Sequence, residues 1–150
     1  MSRRSSRAIL ALSGAVSLAA GSCIGATEPV EVLTWEGILV GSDGVVDPLS
    51  GTVAMVIEEN HTQIGVTVQV APAGTTLGWL LRDGTCVGSG LRIGPATAFP
   101  PITVNGDGDG NADTVLFRRV ATAGPYAAVI SANGDGTGTK LACGDLELRE

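Results

Sequence analysis

Histidine is almost absent from this chain, since His61 is the only one in 150 residues. Copper and zinc sites in proteins are built from several imidazole or thiolate ligands. One histidine and three cysteines argue against such a site, so we expect neither copper nor zinc. No serine-centred nucleophile motif, phosphate-binding loop or paired-carboxylate arrangement rises above composition, which argues against an enzyme.

Basic residues are also scarce, and three of the nine, Arg3, Arg4 and Arg7, precede an uncharged apolar run over residues 8–20. This is the pattern of an export signal. The run is too short to cross a bilayer, which needs about 20 apolar residues. We therefore assign residues 1–22 to a signal peptide and predict an exported protein of the cell envelope.

The segment Ala20-Gly21-Ser22-Cys23 resembles a bacterial lipobox, in which the cysteine is lipidated and becomes the mature N-terminus. We expect lipidation of Cys23, because it would otherwise be an odd thiol in an oxidising compartment. Residues 23–30 would then be a tether, and the lipid would be the only contact with the membrane. The alternative is ordinary cleavage near Ser22 or Ala26, which would leave the protein periplasmic or extracellular.

Without the signal peptide, the chain has six basic residues against fifteen acidic ones, a formal net charge of −9. This balance argues against nucleic acid or anionic headgroups as partners. The remaining residues, 31–150, are enough for one domain with its own core. Aromatic residues number only five in the whole chain, so Val, Leu and Ile must fill that core.

Alternation of apolar and polar residues, broken by glycine- and proline-rich turns, predicts eight strands and no helix of ten residues. The predicted strands cover residues 30–40, 51–59, 63–71, 76–83, 102–104, 114–120, 125–131 and 141–149. A long irregular connection over 84–101 separates the fourth strand from the fifth. Short strands at this spacing indicate an all-β fold, an antiparallel sandwich or barrel with Greek-key connections.

Cys86 and Cys143 are the only cysteines inside the predicted domain. In an exported protein we expect them to form a disulfide bond, since two buried free thiols are unusual outside the cytoplasm. The chain-entropy model assigns roughly 4 kcal/mol to closing a loop of this length.

Three segments resemble copper/zinc superoxide dismutases, and they occur in that family's order. LACGDLEL (141–148) is similar to the family's last strand, and GWLLRDGTC (78–86) to its Gly-aromatic-His-apolar-His segment with the disulfide cysteine. GDGDGNAD (106–113) is similar to a turn between two strands. The nearer likeness is to bacterial envelope lipoprotein domains of this fold (SOD-like or CHRD-like). The resemblance implies an immunoglobulin-like sandwich of eight strands.

The metal-ligand histidines of that family are missing. Leu80 and Arg82 stand where the resemblance implies two copper ligands, and Ser131 stands where it implies a third. Neither leucine nor a protonated guanidinium can donate a lone pair to copper. We therefore interpret these positions as a degenerate metal site and expect the three residues to cluster on neighbouring strands.

Arg82 shares a strand face with Leu80 and needs an acidic or backbone partner, because an unpaired buried charge is prohibitive. We favour an internal ion pair that replaces the metal. The alternative is a site for an anion or a ligand carboxylate. Lys140 matches the position of the family's anion-guiding arginine, but we expect it to be a solvated lysine at a strand end.

The acidic stretch before the predicted sixth strand has a calcium-loop pattern that lacks its last ligand. Glycine occupies the sixth place, and Leu116 stands where a bidentate glutamate is needed. An acidic hairpin turn is the interpretation we favour, with calcium as the alternative. The candidate calcium ligands are Asn105, Asp107, Asp109, Asn111 and Asp113.

Two functions from different classes follow. The preferred one is a non-catalytic, lipid-anchored domain with a degenerate dismutase-like site, acting as a binding or structural module of the envelope. The alternative is a dismutase-like metalloenzyme with ligands that the sequence does not reveal.

Overall fold

The computed structural model describes residues 31–44 and 48–150. The predicted signal peptide (1–22), the tether (23–30) and Cys23 lie outside the described residues. The described chain contains eight strands and one short 3-10 turn, Ala96–Ala98. The strands are β1 (Leu33–Gly41), β2 (Ser50–Ile57), β3 (Thr62–Gln69), β4 (Thr76–Asp83), β5 (Ile102–Thr103), β6 (Gly110–Leu116), β7 (Tyr126–Ser131) and β8 (Lys140–Arg149).

All strand pairs are antiparallel, and they follow the order β5-β4-β7-β8-β1-β2-β3-β6 in a nearly closed, barrel-like sheet. The end strands β5 and β6 contact each other, which brings the two edges of the sheet together. Pairing of β3 with β6 and of β4 with β7 places a strand beside the one three earlier, as in a Greek key. The predicted all-β class is confirmed.

The core follows the period-two alternation of the strands. Val53, Met55 and Ile57 of β2 point inward opposite Ile64 and Val66 of β3, and each is at most 2% exposed. Burial of one such side chain stabilises the fold by about 1.5–3 kcal/mol. Aliphatic residues thus supply most of the core, as the composition predicts.

Four of the five aromatic side chains form two buried edge-to-face pairs. The ring centroids are 5.2 Å apart in the pair of Trp35 and Tyr126, and 5.0 Å apart in the pair of Trp79 and Phe99. Such pairs add about 0.5–1.5 kcal/mol beyond area burial. Phe117, the fifth aromatic, is 93% exposed.

The connection from β4 to β5 is irregular apart from the 3-10 turn, but it is firmly attached to β4. The Asp83 N–H donates to the Leu91 carbonyl at 3.0 Å, and the Ile93 N–H donates to the Leu81 carbonyl at 2.8 Å. Gly84, where the connection leaves the strand, has φ +97°, a left-handed conformation that favours glycine.

The predicted bounds of the sixth strand, 114–120, are wrong at both ends. Strand β6 begins earlier, at Gly110, because the glycine pairs with Val68 of β3. It ends at Leu116, because the next backbone groups bond elsewhere: the hydroxyl of Thr62 donates to the Arg118 carbonyl and accepts from the Val120 N–H. Residues after Leu116 therefore form a loop that is attached to β3.

Candidate functional site

Cys86 and Cys143 form a disulfide bond, with Cα atoms 5.8 Å apart. It links the β4–β5 connection to β8, where Cys143 lies opposite Val40 of β1 and Val129 of β7. A second bond supports this link, because the Cys86 N–H donates to the Asp145 carboxylate at 2.6 Å. The predicted pairing is thus present.

The predicted cluster of Leu80, Arg82 and Ser131 does not form as expected. In the β4–β7 register, Ser131 lies opposite Gly78, and Arg82 lies opposite Ala127. Ser131 is therefore a diagonal neighbour of Leu80 but is four positions from Arg82, about 14 Å along strands that rise about 3.4 Å per residue. The predicted proximity of Arg82 and Ser131 is wrong. Both side chains are on the outer face of the sheet, but Arg82 is near the end of β4, whereas Ser131 of β7 lies beside Gly78, near the start of β4.

Arg82 bonds to the backbone of the disulfide connection. Its guanidinium donates to the Thr85 carbonyl at 2.5 Å and to the Cys86 carbonyl at 3.1 Å. The internal ion pair that we favoured is wrong, because the two salt bridges found among residues 31–44 and 48–150 are His61–Glu58 and Arg149–Glu36. Arg82 therefore positions Cys86 through two carbonyls, with one guanidinium nitrogen, Nη2. Its Nε is buried and has no hydrogen-bond partner within the described residues.

Leu80 and Ser131 lie beside the turn between β7 and β8. A side chain at Gly78 would collide with the Asn133 carbonyl of this turn, at 2.1 Å, so the turn covers the sheet surface closely. Ser131 is only 4% exposed, and its hydroxyl has no hydrogen-bond partner within the described residues. Lys140, at the first position of β8, is exposed as expected.

The acidic stretch forms a hairpin-like turn. The Asn105 side-chain oxygen accepts from the N–H groups of Asp107 and Asp109, at 2.9 and 3.0 Å, so it is already occupied within the turn. Asn111 and Asp113 lie on the exposed face of β6, beyond the turn. A calcium loop needs its ligands wrapped around one point. The geometry therefore favours the hairpin interpretation over the calcium loop.

His61 lies in the β2–β3 turn, with Nε2 3.5 Å from a Glu58 carboxylate oxygen and 3.1 Å from Gln63 Nε2. Across residues 31–44 and 48–150, no group of three or more His, Cys, Asp and Glu side chains could hold a metal ion.

A groove of about 640 Å³ lies on the outer face of β8, β1 and β2, beside the disulfide. Ile38 and Val40 of β1 project into it and are 72% and 66% exposed. Cys86 and Cys143 contribute to its wall. We call this surface the disulfide groove; its lining is completed by Glu36, Gly37, Thr52, Val53, Ala54, Gly144, Asp145, Glu147 and Arg149.

The charges in the disulfide groove are unbalanced. Glu36 and Glu147 lie directly opposite each other in the β1–β8 register, an unfavourable placement for like charges. Arg149 bonds to Glu36 at 2.7 Å but has no salt bridge with Glu147, among the described residues. With Asp145, three carboxylates and one guanidinium line the groove, so it attracts cations.

The sequence interpretation missed this groove. Residues 37–40 are consecutively apolar, so period-two alternation already puts Ile38 and Val40 on the face opposite buried Leu39. Large apolar side chains on a solvated face often mark a binding surface. The run of apolar residues on both faces of one strand was the signal.

The described residues contain no helix long and apolar enough to cross a membrane. No protein-family model matches the chain, and no curated protein is detectably similar to it in sequence. The resemblance to dismutase-like domains therefore stays an expectation that is based on the three segments alone.

Proposed function

We propose that this protein is a non-catalytic binding module of the cell envelope and that the disulfide groove is its ligand site. The observation that carries the proposal is the combination of exposed Ile38 and Val40 with the facing carboxylates of Glu36 and Glu147. A binding site commonly offers apolar area for affinity and a few polar groups for orientation.

The chemistry of the groove selects a ligand with apolar groups next to a positive charge. A cation placed between Glu36 and Glu147 would relieve their repulsion, while Ile38 and Val40 would bury apolar groups. An extended segment of a partner protein, with lysine or arginine beside aliphatic residues, supplies both. Rigidity favours binding too, because the disulfide and Arg82 hold the wall of the groove before the ligand arrives.

The envelope location is part of the proposal. A disulfide persists in an oxidising compartment, and the signal-like residues 1–22 and the lipobox-like Cys23 fit export and anchoring. The domain would then present its groove near the membrane surface, held there by the lipid on Cys23.

The experiment is a fluorescence titration of the exported protein with a short peptide of alternating leucine and lysine. We expect saturable binding, and no binding of the same peptide with glutamate in place of lysine. Ile38→Thr should weaken binding about fivefold, a change of about 1 kcal/mol. Glu147→Gln should weaken it similarly by removing one of the facing carboxylates.

Val115→Thr is the matched control, because Val115 is also an exposed β-branched residue on an outer strand face, outside the groove. It should leave the affinity unchanged. Equal affinity of the Ile38 and Val115 variants would contradict the proposal. Stoichiometric copper with superoxide removal would instead favour the dismutase-like metalloenzyme.

A further inference from the structure

A second cleft, of about 570 Å³, lies between the β6–β7 loop and the end of β4. Arg118 and Arg119 line one side of it, and the backbone of Gly84 and Gly124 lines another. Asp83 is its one carboxylate. The cleft therefore has a net positive lining in a chain with an acidic excess.

The two arginines differ from the other arginines of the described chain in having no protein partner. Arg82 donates to carbonyls, Arg92 donates to the Gly94 carbonyl, and Arg149 pairs with Glu36. No salt bridge or side-chain hydrogen bond is formed by either guanidinium of Arg118 and Arg119, within residues 31–44 and 48–150. Arg118 and Arg119 are neighbours in the sequence and both line the cleft. Guanidinium groups suit the oxygens of a phosphate, which accept paired N–H bonds.

The loop that carries the arginines is held in place by several bonds. Buried Thr62 bonds to the backbone on both sides of Arg119, through the Arg118 carbonyl and the Val120 N–H. The Tyr126 hydroxyl donates to the Ala121 carbonyl. An anchored loop costs little ordering entropy when a ligand binds. The arginines are thus presented on a prepared backbone.

We propose that this arginine cleft binds the phosphate group of a small ligand or of a lipid headgroup. The carboxylate of Asp83 limits the negative charge that the cleft can accept, so one phosphate group fits it better than a polyphosphate. This site is separate from the disulfide groove and does not depend on it.

A headgroup is one source because of where the cleft lies. In the sheet register, Leu33 at the start of β1 is opposite Ile57, and Thr62 is opposite Leu116. The start of β1 and the loop after β6 are therefore at the same end of the barrel. The N-terminal segment, which carries Cys23, therefore joins the barrel at this end, at the start of β1. Phe117, exposed beside the arginines, adds an apolar group that suits the membrane interface.

The test measures binding of inorganic phosphate and glycerol phosphate by amide chemical shifts, and of vesicles containing phosphatidylglycerol by co-sedimentation. We expect saturable shifts at Arg119 and Gly124 with at least one soluble probe, or vesicle binding. Arg118→Gln and Arg119→Gln should each weaken the affinity for the probe that binds about tenfold. Lys140→Gln is the control, since it removes one exposed charge outside the cleft and should change binding less than twofold.

Asp83→Asn keeps an oxygen acceptor for the Leu91 N–H, which bonds to the Asp83 carboxylate at 2.5 Å. It should tighten phosphate binding, because it removes the opposing charge. If the arginine variants lose only the binding of inorganic phosphate or glycerol phosphate, the ligand is a soluble phosphate compound. If they lose only vesicle binding, the ligand is a lipid headgroup. Either result supports the site. Absence of both kinds of binding, or equal weakening by Lys140→Gln, would overturn it. Peptide binding at the disulfide groove should be unaffected by either arginine change.

Discussion

The Asp145 carboxylate accepts a hydrogen bond of 2.6 Å from the backbone N–H of Cys86. Asp145 lies two positions after Cys143, the disulfide partner of Cys86. The β4–β5 connection is thus attached to β8 by one covalent bond and one charge-assisted bond. The wall of the disulfide groove depends on both.

Removal of the disulfide should destabilise the protein strongly. The bond joins residues 57 apart, and a loop of that length corresponds to roughly 4 kcal/mol in the chain-entropy model. We expect the double variant Cys86→Ser/Cys143→Ser to lose about 2–5 kcal/mol in urea unfolding. Reduced wild-type protein is the matched comparison. Equal stability of oxidised and reduced protein would contradict this expectation.

Asp145→Ala should cost about 1 kcal/mol in free energy of unfolding, because it removes the acceptor of the Cys86 N–H at a solvent-accessible site. Glu147→Ala is the control on the same strand face, and as a surface change it should stay within about 0.5 kcal/mol. Urea denaturation of both variants provides the comparison. If Glu147→Ala cost as much, the effect would come from strand charge and not from this hydrogen bond.

Thr62→Val should destabilise the protein by about 2 kcal/mol, because it leaves the Arg118 carbonyl and the Val120 N–H without a partner. Thr62→Ser keeps the hydroxyl and loses one buried methyl group, at about 0.8 kcal/mol. Hydrogen exchange at Val120 should speed up in the valine variant alone. A serine variant less stable than the valine variant would show that packing dominates at Thr62.

The stability of the fold should fall at high pH because of Tyr126. Burial, together with the nearby Asp83 carboxylate, raises the pKa of its phenol above the ordinary value of 10.0. The neutral phenol is therefore favoured in the folded state, so its contribution is complete below pH 10 and is lost as the pH rises towards the folded-state pKa. Tyr126 is the only tyrosine, so absorbance at alkaline pH reports it alone. Tyr126→Phe should remove this pH dependence; an ordinary titration midpoint in the folded protein would contradict it.

The purified protein should hold no stoichiometric copper or zinc and should not remove superoxide faster than free copper does. Copper that cycles between oxidation states needs several nitrogen ligands, and His61 is the only imidazole. Metal analysis after production with added copper is the measurement. Stoichiometric copper that disappears in His61→Ala would establish a site that the sequence argument excludes.

The strands were predictable where one face is buried and the other is wet. β2 and β3 show this alternation over their full length, so their residues could be assigned from spacing alone. The end of β6 could not be assigned in this way. It depends on Thr62, which lies 56 residues before Arg118 in the chain.

The candidate sites depend even more on distant pairing. Alternation places Ile38 on an outer face, but Glu147 reaches Glu36 only through the β1–β8 register. In the same way, the expected cluster of Arg82 and Ser131 failed because a strand face does not specify a position along the partner strand. Composition alone indicated the acidic excess, but not the cleft that Arg118 and Arg119 line.

The attachment of the β4–β5 connection to β4 also protects the protein against aggregation. Strand β5 covers β4 only at Thr76 and Leu77, and beyond it the backbone of Leu81 and Asp83 bonds to Ile93 and Leu91. An open sheet edge offers a template on which a second chain can add a strand, the first step towards fibrils. Here the irregular connection occupies that edge in place of a strand. The backbone groups of β4 that a second copy of the protein would need for pairing are therefore already bonded to the connection.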